Sequence, residues 1–156
     1  MNAECPRIAD QLRRAFDGKA WHGSALRELL SDVKAAQAHA HPLAGAHSIW
    51  ELVLHIAVWT RAAVGATQGQ AMAKIVGTKE DWPVVSDSSP EAWNEAQHRL
   101  FEAKDQLAAA IEQFEDARLK ETVPGRQYDF YYLFHGIVQH SLYHAGQIAL
   151  LKKQMS

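Results

Sequence analysis

At 156 residues the chain suits one domain, spanning 1–156, with enough length to bury a substantial core. Sixteen Lys and Arg against 18 Asp and Glu leave a formal charge of −2, without the basic excess that a nucleic-acid partner would require. Glu51, His55 and Arg61 interrupt the longest apolar run, so no membrane span is expected, and the single cysteine, Cys5, rules out an internal disulfide. With no basic, then apolar, start at the N-terminus, these features lead us to expect a cytoplasmic protein. Histidine is the unusual component: there are nine, with no tag-like run.

The first predicted helix runs from about Pro6 to Phe16, where Ile8, Leu12 and Phe16 recur every fourth residue, and Asp17-Gly18 stops it. A long linker follows to about Ala46, with short helical stretches near Leu26 to Leu30 and Val33 to Ala38. His41-Pro42 then breaks the pattern. Ser48-Ile49-Trp50-Glu51 has capping-box spacing, with serine and glutamate placed to satisfy each other's backbone amides. The helix it opens carries Leu52, His55, Ile56, Trp59 and Ala63 on one face.

Gly65 to Ser89 reads as a long loop, in which Trp82 is a candidate pocket wall. Ser89 as N-cap and Pro90 at the first helical position then start a third long helix. Its apolar stripe is Trp93, Ala96, Leu100, Ala103, Leu107, Ile111 and Phe114. After a connector at Thr122 to Arg126, a fourth helix runs from about Asp129 to Lys153, with Leu133, Ile137, His140, His144, Ile148 and Leu151 along one edge. Four amphipathic helices without sustained strand alternation predict an all-α fold, a four-helix bundle. The long connections argue against a simple up-down-up-down order.

His140 and His144, four residues apart, share a helix face within reach of one ion. Both interrupt a stripe that would otherwise be leucine or isoleucine, and two unpartnered imidazoles buried there would cost on the order of a few kcal/mol. A shared metal would remove that cost; a hydrogen-bonded pair or a rotated helix are the other solutions. His55 holds the corresponding inward position on the second long helix and supplies a third candidate ligand. His135, five residues before His140, points elsewhere, His47 precedes a helix cap, and His98 lies off its helix's apolar stripe. His22, His39 and His41 sit in the linker. Gln147, one turn after His144, is a candidate partner for that ring, and Tyr143 and Arg126 are candidate rim residues. No nucleophile triad, phosphate loop or dinucleotide fingerprint is present, and no general base stands out.

Ser48-Ile49-Trp50-Glu51-Leu52-Val53-Leu54-His55, together with the run from His135 through His140 and His144 to Gly146-Gln147-Ile148, resembles the DinB-like family of damage-inducible bundle proteins. The resemblance spans most of the chain. It implies a four-helix bundle, often a homodimer, with a tri-histidine site for one divalent ion such as zinc or nickel, and the family's ligand positions fall on His55, His140 and His144. Some relatives are thiol-dependent transferases or isomerases; one isomerase branch has glutamate where this chain has His140, so its chemistry is not carried over. Three neutral imidazoles would leave a divalent ion an open position, as in catalytic sites. The expectation is a metal-dependent enzyme on a small molecule, a hydrolase or thiol-dependent transferase; the alternative is a non-catalytic stress-response protein with a structural ion.

Overall fold

The computed structural model describes residues 3–155, in which every regular element is helical. The elements are α1 (Glu4–Asp17), α2 (Leu26–Leu30), α3 (Ala35–His39), α4 (Ile49–Thr67), α5 (Pro90–Gln113) and α6 (Phe130–Gln154). A 3-10 turn, Asp116–Lys120, precedes α6. The four predicted long helices are thus α1, α4, α5 and α6, and the two short stretches of the linker are α2 and α3.

Local chemistry explains most of the boundaries. The Ser48 hydroxyl accepts the Glu51 amide at 3.2 Å, while the Glu51 carboxylate accepts the Ser48 amide at 2.8 Å. The side chains of Ser89 and Asp129 cap α5 and α6 by accepting the amides of Ala92 and Tyr132, without the reciprocal carboxylate. Helix α1 lacks a cap of its own, because Ala3 stands before it. Asp116, from the 3-10 turn, accepts the amides of Ala3, Glu4 and Cys5 instead, which holds its carboxyl well below the usual range.

Each long helix turns its predicted stripe inward. On α5, Trp93, Leu100, Leu107 and Ile111 are buried, and they meet Leu12 and Phe16 of α1, Ile56 of α4 and Phe134 of α6 in one core. Each such side chain stabilises the fold by roughly 1.5–3 kcal/mol through burial. Helix α4 has the length and mean hydropathy, 1.2, of a membrane span, yet 56% of that window is buried against the other helices. Its apolar character is that of a central bundle helix.

The helices form a ring in which α1 and α4 each pack between α5 and α6. Arg13 pairs with Glu112 and Asp17 with Lys104, so α1 and α5 are antiparallel. His55 meets His144, and Trp59 meets His140, so α4 and α6 are antiparallel too. Trp50 packs on Trp93, and further along Arg61 flanks one hollow with Ala103, so α4 and α5 run parallel. Parallel neighbours cannot be joined by a tight turn. The connection 68–89 must therefore run back along the bundle, which takes Asp81 and Trp82 past His55. Its lower end is fastened where the Met72 amide donates to the Pro124 carbonyl at 2.8 Å. Gly125 allows that approach: its φ is +78°, and a Cβ there would lie 3.1 Å from the Met72 carbonyl oxygen.

Candidate metal centre

His55 projects from the middle of α4, and His140 and His144 project from adjacent turns of α6. Antiparallel packing brings the three rings together. His55 Nε2 and His140 Nε2 are 2.9 Å apart, His144 Nε2 and His140 Nε2 3.1 Å, and one ligand atom from each residue lies within 4.8 Å of the others. His55 and His144 are only 6% and 5% exposed, and His140 is half-buried.

The hydrogen bonds behind the rings set their tautomers. His55 donates from Nδ1–H to the Asp81 backbone carbonyl at 2.6 Å, and His144 donates from Nδ1–H to Gln147 Oε1, also at 2.6 Å. A neutral ring with its proton on Nδ1 carries a lone pair on Nε2. Two lone pairs therefore face His140 Nε2, which as a donor could satisfy only one of them at a time. His140 Nδ1 is buried with no hydrogen-bond partner. A cation among the three Nε2 atoms satisfies all of them together, and Nε2 coordination would leave Nδ1 as the protonated nitrogen in each ring. The separations of 2.9 and 3.1 Å are a few tenths of an ångström below the roughly 3.3 Å implied by tetrahedral ligands 2.0–2.1 Å from zinc. The residues fit such an ion.

Electrostatics favours the same state. Burial, reinforced by the neighbouring imidazoles, pushes His140 down to about 3. Burial likewise lowers His55 and His144, against the opposing effects of the Asp81 carbonyl and of Gln147. All three rings are neutral near pH 7, as metal ligation requires.

Two further residues shape the centre. Asp81, only 7% exposed, accepts from Trp59 Nε1–H at 3.0 Å and from the Gly77 amide at 3.4 Å. Its carboxylate also lies 3.2 Å from His55 Nδ1. Trp82 stacks face to face on His55 at 3.9 Å, and His47 stacks on its other face at 3.5 Å. Trp82 thus backs a ring of the centre and does not line the cavity described next, where the sequence suggested a pocket wall. Asp81 has no helical register to mark it, and its only sequence signal is a neighbouring tryptophan in the same loop.

The other candidates separate cleanly. Gln147 is the partner of His144. Tyr143 stands at the cavity mouth, 66% exposed. Arg126 does not reach the centre; its guanidinium donates to the Ala73 carbonyl and ties the crossover to the connector before α6. His47 and His41 both contact Glu51, His135 packs against Tyr131, and His22, His39 and His98 are exposed.

In front of the three Nε2 atoms opens a cavity of about 380 Å³. Its walls are mainly aromatic and aliphatic, including Trp59, Tyr128, Tyr132, Leu133 and Ile137, and that volume suits a small molecule.

Neither the curated proteins nor the solved structures contain a match to this chain. A family model described as the DinB superfamily matches residues 20–148, which takes in α4, α5 and all three histidines. The match covers most of the chain and agrees with its all-helical fold, and the chain belongs to the DinB superfamily.

Proposed function

We propose that His55, His140 and His144 bind one divalent ion, zinc or nickel, and that the protein is a metal-dependent enzyme acting on a small molecule by hydrolysis or thiol-dependent transfer. One observation carries this reading: three imidazole Nε2 atoms converge at the inner end of an apolar cavity. A closed structural site would surround its ion with protein ligands, whereas three histidines facing open volume leave a position for a reactant. When bound, the ion would lower the pKa of a coordinated water or thiol and polarise an electrophile.

The chain's own residues do the rest. The Asp81 carbonyl and Gln147 hold two rings with Nε2 toward the ion, Trp82 braces His55 from behind, and the aromatic walls give a reactant apolar surface beside it. Family resemblance supports a homodimer, and the single reduced cysteine supports a cytoplasmic setting.

The second reading is a structural ion in a non-catalytic protein. It is favoured by the way Asp81 and Trp82 clasp His55, since an ion there would also tie the crossover to the bundle.

Elemental analysis of untagged protein prepared without chelator tests the assignment. About one equivalent of metal is expected in wild type, and none in His55→Ala or His144→Ala. Stoichiometric metal in either variant would sink the three-histidine site. Turnover in hydrolytic and thiol-transfer screens then separates the enzyme from the structural reading.

A further inference from the structure

The walls of the cavity restrict what can reach the centre. With the three histidines neutral, Asp81 is the one charged side chain among the described residues that line it, and none of these is a lysine or arginine. Of the cations near the lining in sequence, Arg126 is turned away to the Ala73 carbonyl, and Lys74 and Lys79 are exposed in the crossover and are not among the lining residues. Lys152 and Lys153 line a different hollow, beside α2. The Asp81 carboxylate is already engaged by Trp59 and Gly77, so it adds negative potential without offering an anion a partner. Tyr128, Tyr132, Tyr143 and Trp59 line it with aromatic surface, which favours rings packed in offset or edge-on contact.

From this lining we infer that the cavity takes a small uncharged aromatic or branched apolar body bearing a single metal-seeking donor, and that it excludes thiols carrying several carboxylates. The inference rests on the metal reading above and narrows it. A multiply anionic thiol would find no lysine or arginine among the lining residues to pair with its carboxylates, only tyrosine hydroxyls, and would bring them beside the negative Asp81. An aromatic ring loses little by leaving water and gains the tyrosine and tryptophan contacts. Cationic bodies suit aromatic surface but are repelled by the divalent ion that their own donor must reach. A volume of about 380 Å³ lies near the small end of ligand pockets, which suits a small molecule, so the chemistry of the lining carries the selection.

The test uses the full chain loaded with cobalt(II), whose thiolate charge-transfer band reports binding at the ion directly. Three thiols are titrated: benzyl mercaptan, with an aromatic body; 2-mercaptoethanol, nearly the head group alone; and glutathione, with two carboxylates. Benzyl mercaptan is expected to bind at least tenfold more tightly than 2-mercaptoethanol, and glutathione no more tightly than 2-mercaptoethanol. Tyr132→Ala should narrow the tenfold gap while leaving cobalt content unchanged. Glutathione binding as well as benzyl mercaptan, or no preference for the ring, overturns the inference.

Failure to take up cobalt would strike the three-histidine reading instead. The cavity is then tested in metal-free protein by tryptophan fluorescence, with benzyl alcohol against benzoate. Preference for the alcohol supports an uncharged aromatic occupant, and equal binding or preference for benzoate refutes it.

Discussion

His140 shows how one buried ring links stability to pH. Its folded-state pKa, near 3, lies below the ordinary 6.5, so between those values the unfolded chain takes up a proton that the folded chain refuses. The stability of metal-free protein should therefore be fully present above about pH 6.5 and fall as the pH drops toward 3, by about 1 kcal/mol per pH unit in mid-window. Urea midpoints at pH 7.5, 6 and 5 measure this, and His140→Gln should make the dependence shallower, leaving the part that His55 and His144 contribute. A wild-type midpoint that stays level across that range would show that the ring is not held neutral by burial.

Asp81 is the second residue whose substitution is informative. Its carbonyl would survive an alanine substitution, but the carboxylate that anchors Trp59 and the Gly77 amide would not. Asp81→Ala should loosen metal binding by about 10- to 100-fold, as losses behind a ligand commonly do. Asp81→Asn keeps an oxygen for Trp59 and should recover part of the affinity. Competition against a chromophoric chelator gives both numbers, and an unchanged affinity in the alanine variant would remove the Asp81 carboxylate, though not its carbonyl, from the support of His55.

Among the elements, α4 carries the most consequence, because its N-terminus sets the register that aims His55 at α6. Ser48 is fully buried, and its hydroxyl closes the capping box with Glu51. Ser48→Ala should cost about 1–2 kcal/mol in chemical denaturation. Glu51 does more than cap, since its carboxylate also meets His41 and His47, and His47 in turn stacks on Trp82. The cap thus lies on a chain of contacts that ends at His55. Helix α1 contrasts with it, for its N-terminal amides depend on Asp116, which lies 113 residues beyond Ala3 in the chain.

For the whole molecule, the order of the helices matters more than any one of them. Because α4 and α5 are parallel neighbours, their connection has to traverse the bundle, and the traverse supplies Asp81 and Trp82 to the centre. An ion held by His55 would reinforce that attachment. Chelation should accordingly speed hydrogen exchange in residues 75–85, while the interior amides of α1 and α5 keep their protection. Equal acceleration throughout would mean that the ion stabilises the bundle as a unit.

The sequence by itself determined the helices and the face each one buries, since 3.6-residue periodicity, Ser48, Ser89 and Pro90 act within one or two turns. It also placed His55, His140 and His144 on inward faces, because ligand spacing along a helix is local. The family resemblance rested on the same local motifs. Tertiary structure alone decided which faces meet, that two Nε2 lone pairs converge on His140, and that Trp82 backs His55 when the loop pattern suggested a pocket wall. It alone brought Asp81 to His55 and Asp116 to α1. Those contacts join residues far apart in the chain, through loops with no periodic signal, and their positions follow from the packing order of the helices.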